Sequence, residues 1–124
     1  MLGLGSAAMA LSGPATTAAI RKVEAFCAQR VPDEHRDQIR LEVGVRANTL
    51  TIVERRRPWS PEYGPEWTTN QIAQLRYHPE NGTWSLHWRD RNERWFPYAD
   101  TEPSSDVAPL LSEIDTDPTG IFWG

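Results

Sequence analysis

The sequence predicts an α+β fold, an antiparallel four- to five-stranded β-meander with an N-terminal and a C-terminal helix packed on one face. Residues 73–98 alternate apolar and polar side chains with a period of two, which is typical of strands with one buried face. Turn sequences interrupt this alternation at 79–82 and 91–92. Before and after the strand region, apolar residues recur at helical spacing. A chain of 124 residues suits one domain, which we expect at 16–124 after a flexible leader at 1–15.

The first helix is expected to begin at Thr16 or Thr17 and to continue to about Arg30. Its apolar stripe consists of four residues at helical spacing, namely Ile20, Val23, Cys27 and Val31. Val31 precedes a proline, which disfavours a helical conformation at the preceding residue, so the helix ends there. A charged connector at 32–38 follows, with room for one helical turn.

A β-hairpin is predicted for residues 39–55, with a two-residue turn at Ala47-Asn48. Apolar side chains alternate with polar ones on both sides of this turn. The turn length places Val45 opposite Leu50 on the apolar face.

Residues 56–69 read as a long loop with three prolines. Because proline cannot donate to a β-ladder, this segment is not a central strand. Loops of this length inside a compact domain are often functional. Its aromatic side chains, Trp59, Tyr63 and Trp67, are expected either to close the rim of the core or to line a recognition surface.

The meander that follows has two chemically different faces. The side chains expected on the inner, apolar face are Leu75, Tyr77, Trp84, Leu86, Trp88 and Trp95. The side chains expected on the outer, polar face are Gln74, Arg76, His78, Ser85, His87, Arg89, Arg94 and Phe96. A two-residue turn at 91–92 pairs Trp88 with Trp95 and Arg89 with Arg94, and the two facing arginines would repel each other.

A second helix is expected at 104–114, since a serine- and aspartate-containing start precedes apolar residues at helical spacing. A turn at 115–120 then leads to an apolar terminus that contains Phe122 and Trp123. An exposed apolar terminus favours unwanted association. We therefore expect this tail to dock on the core of its own chain, with docking on another chain as the alternative.

The net charge of −4 is unevenly distributed. Residues 40–98 carry nine arginines and seven acidic residues, a sum of +2, whereas residues 99–124 carry six acidic residues and no basic one. A dedicated nucleic-acid-binding domain is usually basic throughout, so this balance argues against that class.

Cysteine content and hydropathy indicate the cellular compartment in which we expect the protein. The single cysteine, Cys27, excludes an internal disulfide framework and favours a reducing, cytoplasmic location. No apolar run approaches the length of a membrane span, and residues 1–15 lack the basic start and long apolar centre of an export signal. We expect no membrane partner.

Three segments resemble a small bacterial family catalogued as domain of unknown function 3024. They are the run WSLHWRDRN at 84–92, the pair Arg94-Trp95 and the closing DPTGIFWG at 117–124. The resemblance covers the chain from about Val23 to the end. It implies a bacterial cytoplasmic protein and supplies no activity, substrate or catalytic residue.

The outer face of the sheet is the main candidate for function. We expect it to carry six arginines and two histidines, namely Arg40, Arg46, Arg55, Arg76, Arg89, Arg94, His78 and His87, opposed only by Glu42. The first hypothesis is a small non-catalytic interaction module, because arginine and aromatic side chains commonly anchor interfaces. It would bind a protein partner or a second copy of the chain through this face, the aromatic loop or the Phe122-Trp123 tail.

Two other classes remain open. Sheet faces also bind single-stranded nucleic acid, by stacking bases on aromatic rings while arginines contact phosphates. The third hypothesis is a metal-independent phosphodiester-cleaving enzyme in which His78 and His87 act as general base and general acid. No cofactor or metal is expected, because the three histidines at 35, 78 and 87 lack ligand spacing.

Overall fold

The structure, a computed structural model, describes residues 13–58, 62, 64 and 66–123. Within these ranges the elements are, in chain order, α1 (Pro14–Arg30), a 3-10 helix (Asp33–His35), β1 (Ile39–Arg46), β2 (Thr49–Arg56), β3 (Thr68–His78), β4 (Thr83–Arg89), β5 (Trp95–Pro97) and α2 (Ala108–Thr116). The strands form one antiparallel sheet in sequence order. The predicted α+β meander is therefore confirmed. Residues 1–12 of the expected leader lie outside the described residues.

Helix α1 begins at Pro14, earlier than the predicted start at Thr16 or Thr17. Proline suits the first helical turn because the N–H that it lacks would have no intrahelical partner. Thr16 lies inside this turn, where its buried hydroxyl donates to the carbonyl of Gly13 at 2.9 Å. The helix ends at Arg30 as predicted, and no helix in the described part of the chain is long and apolar enough to cross a membrane.

Helix α2 begins at Ala108, four residues after the predicted start at Ser104. Ser104 instead forms an isolated bridge with Trp84, through two backbone hydrogen bonds of 2.7 and 2.9 Å. The carboxylate of Asp106 then accepts the N–H of Ala108 at 3.0 Å. The backbone ahead of the helix is thus tied to the sheet, which delays the first helical turn.

The β1–β2 hairpin has the predicted register. Arg46 pairs with Thr49 across the two-residue turn, and Val45 pairs with Leu50. The β2–β3 ladder contains an irregularity that the sequence analysis did not predict: Ile52 pairs with Ala73, but Val53 pairs with Gln71. The extra residue, Ile72, forms a β-bulge, and both it and Ala73 are buried.

The β4–β5 register differs from the prediction by one residue. Trp88 pairs with Phe96, and Arg89 pairs with Trp95 instead of Arg94. Trp95 therefore lies on the outer face, where Phe96 was expected. Phe96 lies on the inner side and stacks on Trp88, with ring centroids 5.2 Å apart.

The cause of this shift is the length of the turn. The N–H of Asp90 donates to the carbonyl of Arg94 at 2.9 Å, so three residues form the loop instead of two. Glu93 adopts a positive φ of 65°, which is typical of the last residue in a three-residue hairpin loop. A shift of one residue exchanges the two faces of a strand. Arg94 follows the loop and lies opposite Asp90, so the predicted Arg89–Arg94 pair does not form.

One buried cluster joins the inner face of the sheet to both helices. Its fully buried members include Val23 of α1, Leu50, Ile52, Leu75, Trp84 and Leu86 of the sheet, and Leu110 and Ile114 of α2. Because both helices contribute to this cluster, they pack on the same side of the sheet. The outer face is the opposite side.

The C-terminal tail docks on this core, as expected. Phe122 is 6% exposed, and its ring lies 5.2 Å from that of Tyr98. The indole N–H of Trp123 donates to the carbonyl of Ile114 at 2.7 Å, and the guanidinium of Arg30 lies 3.9 Å from the ring centroid. The tail thus links the ends of the two helices.

Candidate functional site

The candidate site lies on the outer face of β3 and β4. The β3–β4 ladder pairs Arg76 with Ser85 and Gln74 with His87, one step apart on the same face. His78 follows at the end of β3, diagonally across from Ser85. The predicted placement of both histidines on one face of neighbouring strands is confirmed.

The two imidazoles meet at one hydroxyl group. Nε2 of His78 lies 2.7 Å from Oγ of Ser85, and Nε2 of His87 lies 2.8 Å from the same oxygen. On its far side, Nδ1 of His78 lies 3.5 Å from Oε1 of Glu80. These four side chains form a continuous chain of polar contacts, which we call the histidine–serine chain. Ser85 was predicted on this face but given no role, and Glu80 was not predicted to take part.

His87 is the buried end of the histidine–serine chain. It is only 7% exposed, although it lies on the polar face. Burial, together with the smaller effect of the nearby charges of Arg76 and His78, lowers its pKa to about 4. His87 is therefore neutral near pH 7 and lacks the proton that a general acid would donate.

The contacts of His87 determine the direction of the hydrogen bonds. Its Nδ1 atom is buried without a hydrogen-bond partner among the described residues. A buried acceptor is left unpaired more often than a buried donor, so we assign the ring proton to Nε2, which donates to Ser85. The Ser85 hydroxyl then donates to Nε2 of His78, so the ring proton of neutral His78 lies on Nδ1, the atom 3.5 Å from the Glu80 carboxylate.

The arginines of the outer face differ in their partners. At one margin Arg55 pairs with Glu42 at 3.3 Å, and at the other Arg89 pairs with Glu93 at 3.5 Å. Arg40 lies over the ring of Trp67, 4.5 Å from its centroid. These three predicted binding residues therefore have partners within the chain.

Arg46 and Arg76 form the unneutralised part of this face. Both lie in one cross-strand row, because Arg46 pairs with Thr49 and Thr49 with Arg76. Arg76 donates from Nε and Nη2 to the amide oxygen of Gln74, at 3.1 and 3.0 Å. Neither guanidinium contacts a carboxylate in the described part of the chain. The row that contains Ser85 is thus positively charged.

The aromatic candidates are distributed over three places. Trp95 lies on the outer face, where Arg89 is 6.0 Å from its ring centroid. Trp67 is half-buried beside Arg40, and Trp59 and Tyr63 lie outside the described residues. Phe122 and Trp123 are taken up by the contacts with the core described above. Among the described residues, no group of three or more His, Cys, Asp or Glu side chains is placed to hold a metal ion.

Comparison with known proteins gives one match. A family model described as Domain of unknown function (DUF3024) matches residues 12–124. No curated protein matches the chain. No solved structure matches it either.

Proposed function

The chain belongs to the DUF3024 family, a domain of unknown function, and we propose that it is an interaction module that binds an acidic protein partner on the outer face of its sheet. The observation that supports this proposal is the pair Arg46 and Arg76, neither of which has a carboxylate partner among the residues that the structure describes. Arginine is well suited to such a surface, since its planar guanidinium binds carboxylates through two parallel hydrogen bonds.

The position of the helices supports the same proposal. Both helices pack on the inner face, where the apolar side chains are buried. The cross-strand row of Arg46, Thr49, Arg76 and Ser85 combines two guanidinium groups with two hydroxyl groups. Such a row complements the negative charge of an acidic segment. The setting we propose is a bacterial cytoplasm, with which the buried free thiol of Cys27 is compatible.

A comparative pull-down tests the proposal. The wild-type chain is compared with Arg46→Glu, which reverses a charge in the row, and with Arg21→Glu, which makes the same change on an exposed position of α1. We expect wild type and Arg21→Glu to retain the same acidic protein after nuclease treatment, and Arg46→Glu to lose it. Equal retention by all three proteins, or recovery of the chain alone as a monomer, would contradict the proposal. Self-association through this face would appear as a dimer that Arg46→Glu dissociates.

Single-stranded nucleic acid is a second candidate ligand, favoured by the outward position of Trp95. An aromatic ring beside Arg89 matches the combination of stacking and phosphate contact that such proteins use. Titration with oligo(dT) at several salt concentrations tests it. Neutralising about six phosphates gives a log–log slope near −4, and Trp95→Ala is expected to weaken binding by about 1–3 kcal/mol. Binding that does not depend on salt would exclude this mode.

A further inference from the structure

The geometry of the histidine–serine chain points to a chemical activity beyond partner binding: we propose that Ser85 is an activated nucleophile that accepts acyl groups from esters carrying a negative charge. The argument requires a nucleophile, a base, a group that orients the base, and a feature that selects the substrate. The nucleophile, the base and the selecting arginine lie on the outer face, and the orienting group lies in the turn between β3 and β4.

The nucleophile and base are in direct contact. The Ser85 hydroxyl lies 2.7 Å from Nε2 of His78, within the range expected for a serine and its general base. Ser85 is half-buried, so its hydroxyl is held in place without being enclosed. Imidazole is the usual general base in proteins because it titrates near neutral pH.

Glu80 provides the orienting group. Its carboxylate lies 3.5 Å from Nδ1 of His78, on the opposite side of the ring from Ser85. A carboxylate in this position favours the tautomer with the proton on Nδ1, which leaves Nε2 free to take the proton of Ser85. It also stabilises the imidazolium that forms during the reaction.

His87 determines the direction of the hydrogen bonds in the histidine–serine chain. Because it remains neutral and donates from Nε2 at 2.8 Å, it does not compete with His78 for the serine proton.

Arg76 selects the substrate class. It lies directly across the ladder from Ser85, and Arg46 follows in the same row. An ester that carries a carboxylate or phosphate group on its acyl portion would place this charge against the guanidinium groups while its carbonyl carbon faces Ser85. A neutral ester lacks this contact.

The reaction has two steps. In the first, Oγ of Ser85 bonds to the carbonyl carbon and its proton passes to Nε2 of His78; the leaving alcohol then departs with that proton. In the second, water attacks the acyl carbon, gives a proton to His78, and Ser85 leaves and recovers it. The balance is one ester and one water converted to one acid and one alcohol, without an oxidant or reductant.

Labelling with a fluorophosphonate probe, followed by mass spectrometry, tests the nucleophile. We expect wild type to be labelled at Ser85, Ser85→Ala to be unlabelled, and the control Ser112→Ala, which changes an exposed serine of α2, to react like wild type. His78→Gln is expected to lower the rate about 100-fold, since removal of a general base typically costs that much or more. Absence of label on wild type, or label on another serine, would overturn the proposal.

Hydrolysis of two model esters tests the substrate class. We expect the enzyme to hydrolyse 4-nitrophenyl hydrogen succinate, which is negatively charged, with a lower KM than 4-nitrophenyl acetate. Arg76→Gln should raise the KM for the succinate by a larger factor than the KM for the acetate. An equal effect on both esters would show that Arg76 does not recognise charge.

A cysteine variant separates loss of chemistry from loss of folding. Ser85→Cys keeps a nucleophile in place, and Ser112→Cys provides an exposed thiol for comparison. At pH 7 we expect iodoacetamide to alkylate Ser85→Cys about 10-fold faster than Ser112→Cys, because His78 favours the thiolate. When His78→Gln is added to Ser85→Cys, its alkylation rate should fall to that of Ser112→Cys. The buried Cys27 should remain unmodified throughout. Equal rates for the two introduced cysteines would contradict activation by His78.

Discussion

His87 shows how a single residue on a polar face can behave as part of the interior. Its cross-strand neighbours are Gln74 and Pro97, and only 7% of its surface is exposed. Burial and the charges of Arg76 and His78 lower its pKa from 6.5 to about 4. In the folded protein this ring therefore stays neutral down to about pH 4, whereas in the unfolded chain it takes up a proton below about pH 6.5.

This difference predicts a pH-dependent stability. Because the unfolded state binds the proton first, stability falls as the pH decreases from 6.5 to about 4, by at most about 3 kcal/mol from this residue. Above pH 6.5 both states are neutral and the effect is absent. Urea unfolding at a series of pH values measures it. We expect His87→Gln to lose less stability over this interval than wild type, whereas His35→Gln, at an exposed position, should follow wild type.

The three-residue turn between β4 and β5 decides which aromatic ring joins the outer face. Its conformation depends on Asp90, whose carboxylate oxygen accepts the N–H groups of Asn92 and Arg94, both at 2.9 Å. It also depends on Glu93 at a positive φ of 65°. These interactions are local to the turn, and the register of Trp95 and Phe96 follows from them.

Removal of the Asp90 carboxylate should destabilise this turn. Asp90→Ala leaves two N–H groups without their acceptor, and we expect a loss of about 1–2 kcal/mol in the free energy of unfolding. Asp90→Asn keeps an oxygen acceptor and should lose less. Denaturant unfolding followed by tryptophan fluorescence measures both variants. A stability of Asp90→Ala equal to that of wild type would show that other contacts hold the turn.

Replacement of Glu93 by glycine should have the opposite effect. Glycine adopts a positive φ without steric cost, so Glu93→Gly is expected to raise the free energy of unfolding by about 0.5–1 kcal/mol. The ion pair lost with Arg89 is 3.5 Å long and exposed on the Glu93 side, and such pairs contribute little. Glu93→Ala removes the same ion pair but keeps the strained conformation, so it should give no gain. A thermal melt in which Glu93→Ala is more stable than Glu93→Gly would contradict this explanation.

The whole molecule is organised by one buried cluster between the sheet and the two helices. Ile114 of α2, Val23 of α1 and Leu50 of β2 are each fully buried in it. Salt bridges between Lys22 and Asp106 and between Arg30 and Asp115 connect the two helical regions at the surface. The tail adds to this connection through Trp123. The polar face is thus displayed on a scaffold whose packing lies on its other side.

This organisation predicts cooperative unfolding. Ile114→Ala removes buried methyl and methylene groups, which should lower the free energy of unfolding by about 2–5 kcal/mol. Because the helices and the sheet share one core, far-UV circular dichroism and tryptophan fluorescence should give the same midpoint in wild type and variant. Ser112→Ala, on the exposed side of α2, serves as control and should change stability little. Separate midpoints for the two probes would indicate that α2 unfolds independently.

Local periodicity was sufficient to predict several features of the fold from the amino-acid sequence. Alternation with a period of two assigned the inner and outer faces of β1–β4, and the two-residue turn at Ala47-Asn48 set the register of Val45 and Leu50. Helical spacing located both helices, although not their first residues. Each of these features depends on residues that are close together in the chain, so the pattern alone is sufficient.

Other features depend on contacts between distant segments or on the length of a turn, and these became visible only in the folded structure. A two-residue loop was predicted between Arg89 and Trp95, but the hydrogen bonds of the folded turn close a loop of three residues. Likewise, His78 and Ser85 meet only because the β3–β4 register places them diagonally on one face. His87 lies on β4 between β3 and the three-residue strand β5, and it is buried only in the assembled sheet. A side chain acquires such an environment only when the strands on both sides of it have paired.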